Sequence, residues 1–298
     1  MYNEFFGFKK KPFSLVSEPE FLYFSPIHKK AWTVLQYGLI VQAGFTVITG
    51  EIGAGKTTLI RKALTTLDDR CEVGLITNTH SAFGDLLTWV LAAFRINSKA
   101  QDKAGRYQSL IEFLTRQHQR RRRVILIVDE AQNMDLQTLE ELRLLSNINI
   151  SQDVMIQLVL VGQPELVTKL NSPELVQFAQ RISVEYHIKA LDFEQTLQYI
   201  NHRLVVAGCR KEIFDKLAYA AIYYYSGGIP RLINNICDLS LVFAFAEGHQ
   251  YVDLATVQEV IREKKTGGFA AFKTGADPEA DNFRMQVLAK SGVDIGIS

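Results

Sequence analysis

The run Gly50-Glu51-Ile52-Gly53-Ala54-Gly55-Lys56-Thr57 constrains this chain more than any other stretch. It fits the pattern Gly-x4-Gly-Lys-Ser/Thr, and it lies between a short β-rich segment, Phe45 to Thr49, and a segment of helical periodicity, Lys56 to Leu67. Strand, glycine-rich turn and helix in that order make an anion cradle. The glycines let the backbone curl so that successive N–H groups face inward, and the helix N-terminus adds the positive end of its dipole. The ligand expected is ATP, with residues Gly50 to Thr58 around its phosphates. Lys56 would reach the β- and γ-phosphates, and the Thr57 hydroxyl would bind Mg²⁺. The plainer reading, a glycine turn followed by a solvated lysine, leaves the flanking strand and helix unexplained.

A phosphate cradle hydrolyses nothing without a carboxylate for the metal and another for water. The five apolar residues Val124 to Val128 read as a buried strand, and such a strand delivers Asp129 to its C-terminal end, where open α/β sheets bind ligands. Asp129 is therefore the expected second metal ligand beside Thr57, and Glu130 the group that orients or deprotonates the attacking water.

The remaining pattern places these motifs on a fold. Val73 to Thr77, Ile156 to Val161 and Val184 to Ile188 are further strand candidates. Between the strands run helical segments: His28 to Leu39 behind Ser25, Ser81 to Phe94 with Ser81 as cap, Tyr107 to Gln119, and a helix capped by Asp135. Alternating strands and helices imply right-handed crossovers, hence an α/β fold with a mostly parallel sheet between helical layers. From Asp192 the strand signal ends. Segments Phe193 to Ala207, Glu212 to Tyr225 and Pro230 to Glu247 each stop at a glycine, and Asp253 to Lys265 makes a fourth helix. The expected organisation is a leading segment and helix at 1–40, a nucleotide-binding domain at 41–191, a small all-helical lid at 192–265 and a mobile tail at 266–298. The tail carries a weak amphipathic patch at Phe283, Met285, Val287 and Leu288 that could bind a partner.

Composition narrows the class. Thirty-three basic against 32 acidic residues leave a formal charge of +1, so no nucleic-acid partner follows from net charge. Three scattered cysteines and six histidines lack metal or redox spacing, which fits a reduced compartment. The N-terminus lacks the apolar core of a signal peptide. The longest apolar stretches, Leu39 to Thr49 and Leu239 to Ala246, fall short of the roughly 20 residues that span a bilayer. The expectation is a cytoplasmic protein without a transmembrane segment, able to sit peripherally at the inner membrane.

Several motifs together resemble a known family. The loop Gly50 to Thr58, Asp129-Glu130-Ala131-Gln132-Asn133-Met134, Val161-Gly162-Gln163-Pro164-Glu165-Leu166, Ala179-Gln180-Arg181-Ile182 and Gly227-Gly228-Ile229-Pro230-Arg231-Leu232-Ile233-Asn234 look like those of AAA+ ATPases of the general secretion pathway protein A (ExeA-like) group. The opening, Tyr2-Asn3-Glu4-Phe5-Phe6-Gly7 with Pro12-Phe13-Ser14, is similar to that group's start, so the resemblance reaches to about residue 265. It implies a P-loop NTPase with a helical lid that hydrolyses ATP. It implies Gln163 as a sensor of the γ-phosphate or lytic water, Arg181 as an arginine finger into the adjacent subunit, and Arg231 as the lid's nucleotide sensor. It implies a homo-oligomeric ring, six-membered, and a membrane-associated partner in an envelope machine for secretion, pili or polysaccharide export. Longer members of the group continue into a membrane span and a peptidoglycan-binding region absent here, so the resemblance does not carry direct wall contact.

Two further functions compete with that motor: a DNA-binding regulator of transposition or replication-initiator type, and a nucleotide-gated scaffold with little turnover. The four arginines Arg120 to Arg123 invite the first. The preferred account is that they sit at a helix C-terminus, favoured by its dipole and away from the phosphate edge, with no nucleic-acid reader motif beside them. The N-terminal phenylalanines and Tyr223-Tyr224-Tyr225 read as packing, with adenine contact as the alternative.

Overall fold

In a computed structural model of the chain, residues 1–15, 19–77, 79, 85–150, 153–267 and 278–297 are described. Chain order gives α1 (Tyr2–Phe6), α2 (Pro26–Ile40), β1 (Phe45–Gly50), α3 (Lys56–Leu64), β2 (Cys71–Ile76), α4 (Leu86–Ala93), α5 (Lys103–Gln119), β3 (Arg123–Val128) and α6 (Leu136–Leu145). Next come β4 (Asn149–Ile150), β5 (Asp153–Val154), β6 (Gln157–Gly162), α7 (Pro164–Leu170), α8 (Val176–Ala179) and β7 (Ile182–Ile188). Helices α9 (Phe193–Val206), α10 (Lys216–Ser226), α11 (Pro230–Ala246), α12 (Leu254–Thr266) and α13 (Pro278–Ser291) complete the chain.

The chain divides into two compact units, one of residues 28–51 and 56–188, the other of residues 1–27, 52–55 and 189–298. In the first, five strands form one sheet in the order β2-β3-β6-β1-β7, every pairing parallel. The apolar runs explain the order of burial: β1 and β6 are buried along their whole length, as strands covered on both faces must be. Their side chains join Leu86, Val90, Leu110, Leu114, Leu139 and Leu142 of the flanking helices in one core. The Asp135 carboxylate caps α6 by accepting from the Thr138 amide at 2.7 Å, as its sequence position requires. For α4 the cap differs from expectation. Asp85 accepts from the Thr88 amide at 2.9 Å, and Ser81 lies outside the described residues. The short antiparallel pair β4-β5 has too few residues for a periodic signal and is not legible in the sequence.

In the second unit, helices α9, α10 and α11 end at Gly208, Gly227 and Gly248, whose φ of 93°, 55° and 76° turn the chain out of each helix. The N-terminal aromatics belong to this unit: Tyr2, Phe6, Phe8, Phe13 and Phe21 are buried against Tyr199, Leu204, Phe214 and Leu241. Buried Arg203 ties them in, donating to the carbonyls of Pro12 at 2.6 Å and Ser14 at 3.1 Å and to the Tyr199 hydroxyl at 2.9 Å. Residues 278–297, which the sequence reads as part of a mobile tail, make contacts with the helices of this unit. Phe283 packs on Phe193 and Tyr223 with ring centroids 5.1 and 4.8 Å away, Ile295 is buried, and the Ile297 amide donates to the Tyr225 hydroxyl at 2.6 Å. The patch thus closes on its own chain, and only Met285 of it stays well exposed. Tyr223 and Tyr225 are packing residues on the same grounds.

Candidate nucleotide site

Because every strand of the sheet is parallel, the ends of β1, β3 and β6 lie on one edge. β6 stands between β1 and β3, so the residues at its C-terminal end fall between the glycine-rich loop and Asp129. That single fact of strand order assembles the site.

Lys56, buried at the start of α3, donates to the carbonyls of Gly50 at 2.7 Å and Glu51 at 3.0 Å. Burial pushes its amine below the ordinary lysine range, and the carboxylates of Glu130, Asp129, Glu51 and Glu165 oppose that push. Thr57 donates its hydroxyl to Asp129 Oδ2 at 2.9 Å, so the two groups expected to bind magnesium already share one place. Asp129 is 5 % exposed, and its Oδ1 accepts the Glu130 amide at 2.9 Å. Thr58 continues α3 one residue further.

The remainder of the loop, Ile52, Gly53, Ala54 and Gly55, groups with the helical unit. Gly53 has φ +82°, and a Cβ there would come within 2.4 Å of Arg231 Cβ, so only glycine fits. Arg231 lies in the first turn of α11 behind Pro230 and is exposed.

Glu130 adopts a left-handed backbone, φ 54°, unusual for a non-glycine residue. Its Oε2 accepts two amide donors: Gln132 Nε2 at 2.6 Å and Gln163 Nε2 at 3.1 Å. Gln132 Oε1 in turn accepts the Gln163 backbone N–H at 3.0 Å. One glutamine therefore fixes both the carboxylate and the residue expected to sense the γ-phosphate. Beneath it, Lys169 donates to the carbonyls of Gln132 and Met134, and a Cβ on Gly162 would meet Gln132 Oε1 at 3.1 Å and Leu166 Cδ2 at 2.7 Å. Thr79 donates to the Glu130 carbonyl at 3.1 Å. Gln132, Lys169 and Thr79 were missed by sequence reasoning. The spacing of Gln132, two residues beyond Glu130 in the same motif, was the available signal.

Arg181 stands apart from this group. It is exposed beyond α8, with Nη1 donating to Ser146 Oγ at 3.0 Å. Within one chain, then, the structure brings Lys56, Thr57, Asp129, Glu130 and Gln163 together and leaves Arg181 at the surface.

Fold and site define a P-loop protein of the AAA+ class: residues 40–170 match the AAA domain family, and solved AAA+ structures share the fold. The Cdc6 protein of Pyrobaculum aerophilum superposes with TM-score 0.61 at 15% identity, covering 94% of this chain and 91% of that one. The ORC2 protein of Aeropyrum pernix, solved as ADPNP-ADP complexes, superposes with TM-score 0.60 at 16% identity, covering 97% and 86%. The more particular likeness is to General secretion pathway protein A of Aeromonas hydrophila, 41% identical over 253 residues, 83% of this chain and 46% of that protein. The resemblance read from the motifs is thereby found, and the chain spans about half the length of this curated relative. Among the described residues no helix is long and apolar enough to cross a membrane.

Proposed function

We propose that the chain binds ATP with Mg²⁺ and hydrolyses it, and that hydrolysis works an envelope machine through a ring of identical subunits. The observation that carries the chemistry is the pairing of Thr57 with Asp129 at 2.9 Å beside a Glu130 carboxylate held by two amides. Magnesium is a hard cation that keeps waters and substrate phosphates among its ligands, so two protein oxygens suffice to place it. Among the described residues no larger His, Cys, Asp or Glu cage competes for it. The ion would neutralise charge on the β- and γ-phosphates. Lys56 would exchange its two loop carbonyls for phosphate oxygens, and Glu130 would take the proton of an attacking water.

Replacement of Lys56 by Ala should abolish nucleotide binding in equilibrium titrations. Glu130→Gln should keep ATP bound while phosphate release falls by about 10² to 10⁴. Normal turnover by the Glu130→Gln protein would show that the water is activated elsewhere. Steady-state phosphate release by the unaltered chain separates a working ATPase from a nucleotide-gated scaffold.

The assignment to an envelope machine rests on likeness to General secretion pathway protein A, and it makes the partner a membrane-associated protein. The subunit would be cytoplasmic or peripheral at the inner membrane. Within that reading Arg181, exposed in the single chain, is the finger supplied to a neighbour, Gln163 senses the γ-phosphate, and Arg231 reports the nucleotide to the helices of 192–265. A pull-down with the Glu130→Gln protein under ATP identifies the partner; recovery of no envelope protein would count against the assignment.

A further inference from the structure

The nucleotide chemistry leaves the arginine run unused. It lies at the other end of β3 from Asp129, roughly 20 Å away by strand geometry. There a cavity of about 480 Å³ is lined by Arg121, Arg122, Arg123, His118, Gln157 and Gln42, so its described lining is strongly basic. A volume of that size admits a small ligand.

The side chains around it are held in different ways. Arg122 is engaged outward, with the Asp69 carbonyl at 2.9 Å and the Glu72 carboxylate at 3.1 Å. Arg123 donates one Nη to the Leu39 carbonyl at 2.8 Å and to Gln157 Oε1 at 3.4 Å, while its Nε–H is buried without a partner among the described residues. Gln157 is 4 % exposed and fixed by the Gly38 carbonyl at 3.3 Å. Arg121 is exposed and makes no ion pair among the described residues. Both Arg121 and Gln42 stand at left-handed turns that end α5 and α2, φ 54° and 53°, positions where glycine costs less. Cations at helix ends account for part of this arrangement. They do not account for a basic hollow lined by an arginine whose buried Nε–H has no partner among the described residues, since a buried donor left unmade is costly.

We infer that this cavity is a binding site for a compact phosphate-type oxyanion, held by the guanidinium groups of Arg121 and Arg123, remote from the nucleotide. Guanidinium groups match such an anion's geometry with charge-assisted hydrogen bonds. Two sources share the chemistry, free phosphate and the headgroup of an anionic phospholipid. The two residues that precede Gln42 in the chain are exposed and apolar, Ile40 at 72 % and Val41 at 49 %, which would suit the second.

The test uses the full chain carrying Lys56→Ala, so that the glycine-rich loop does not report phosphate. Inorganic phosphate is titrated at constant ionic strength against thermal unfolding and by calorimetry, in this background and with Arg121→Glu or Arg121→Gln added. Arg121 is exposed, so neither change disturbs the core. Saturable binding that weakens about tenfold or more with Arg121→Gln and vanishes with Arg121→Glu is expected, as for loss of a charge-assisted contact. Cosedimentation with phosphatidylglycerol and with phosphatidylcholine vesicles assigns the source. Arg121-dependent binding to the former alone points to a headgroup, and a phosphate response without vesicle binding points to the free anion. An absent phosphate response, or one unaltered by Arg121→Glu, overturns the site. Arg121-dependent binding of duplex DNA with no response to phosphate overturns it in favour of a nucleic-acid contact.

Discussion

Glu130 sits in a backbone conformation that costs a non-glycine residue roughly 1–2 kcal/mol, and it does so where the proposed chemistry happens. The left-handed turn brings its carboxylate between Gln132 and Gln163, whose amides both reach Oε2. Gln132→Leu keeps the side chain's bulk while removing both of its polar ends. Phosphate release at saturating ATP should then fall about tenfold or more, with the KM for ATP changed less than about twofold, because alignment of the base is lost and the phosphate grip is kept. Equal losses in kcat and in affinity would mean that Gln132 merely supports the fold. At this scale the sequence displayed Glu130 plainly and hid its partners. Gln132 touches Gln163 only because β3 and β6 pair, and no spacing along the chain encodes that.

Among the elements, the last helix departs most from what its residues suggested. Gly-, Ala- and charge-rich sequence ahead of it signals looseness, yet Phe283 and Val287, one helical turn apart, find an apolar surface on α9 and α10. Beyond α13 the Asp294 carboxyl is held down to about 2, first by hydrogen bonds from the Arg284 guanidinium and then by the Gly296 amide. A carboxyl depressed on folding contributes stability above its unfolded pKa, roughly 4, and loses it as pH falls from there toward 2. Both side chains are partly solvated, so the effect should be small and weakened by salt. Asp294→Asn at neutral pH should speed limited proteolysis around α13 without slowing phosphate release; an unchanged cleavage rate would show the pair to be idle. For α6 the reading was complete: Asp135→Ala should cost about 1 kcal/mol in denaturant unfolding, the value of one N-terminal cap.

For the molecule as a whole, a ligand that binds only the folded state must stabilise it. Saturation with MgATP at about 100 times its dissociation constant should add roughly 2.7 kcal/mol to unfolding, and Lys56→Ala should erase the gain. The ring proposal has its own measurement. Arg181→Ala and Lys56→Ala subunits, each inactive alone, should recover phosphate release when mixed, because some interfaces then combine an intact loop with an intact arginine. Silence in assemblies shown to be mixed would place Arg181 outside the reaction.

The sequence by itself determined the chemistry's inventory: a glycine-rich turn, a lysine, a hydroxyl and an acidic pair, each announced by local backbone demands that neighbours along the chain can satisfy. It also determined the alternation that makes a parallel sheet. Tertiary structure alone decided that β6 separates β1 from β3, which sets Gln163 beside Glu130, and that arginines beyond α5 meet Gln157 around a hollow at the opposite edge. Strand order is a choice among packings of equally apolar strands, settled by how whole faces fit, so no short window of residues records it.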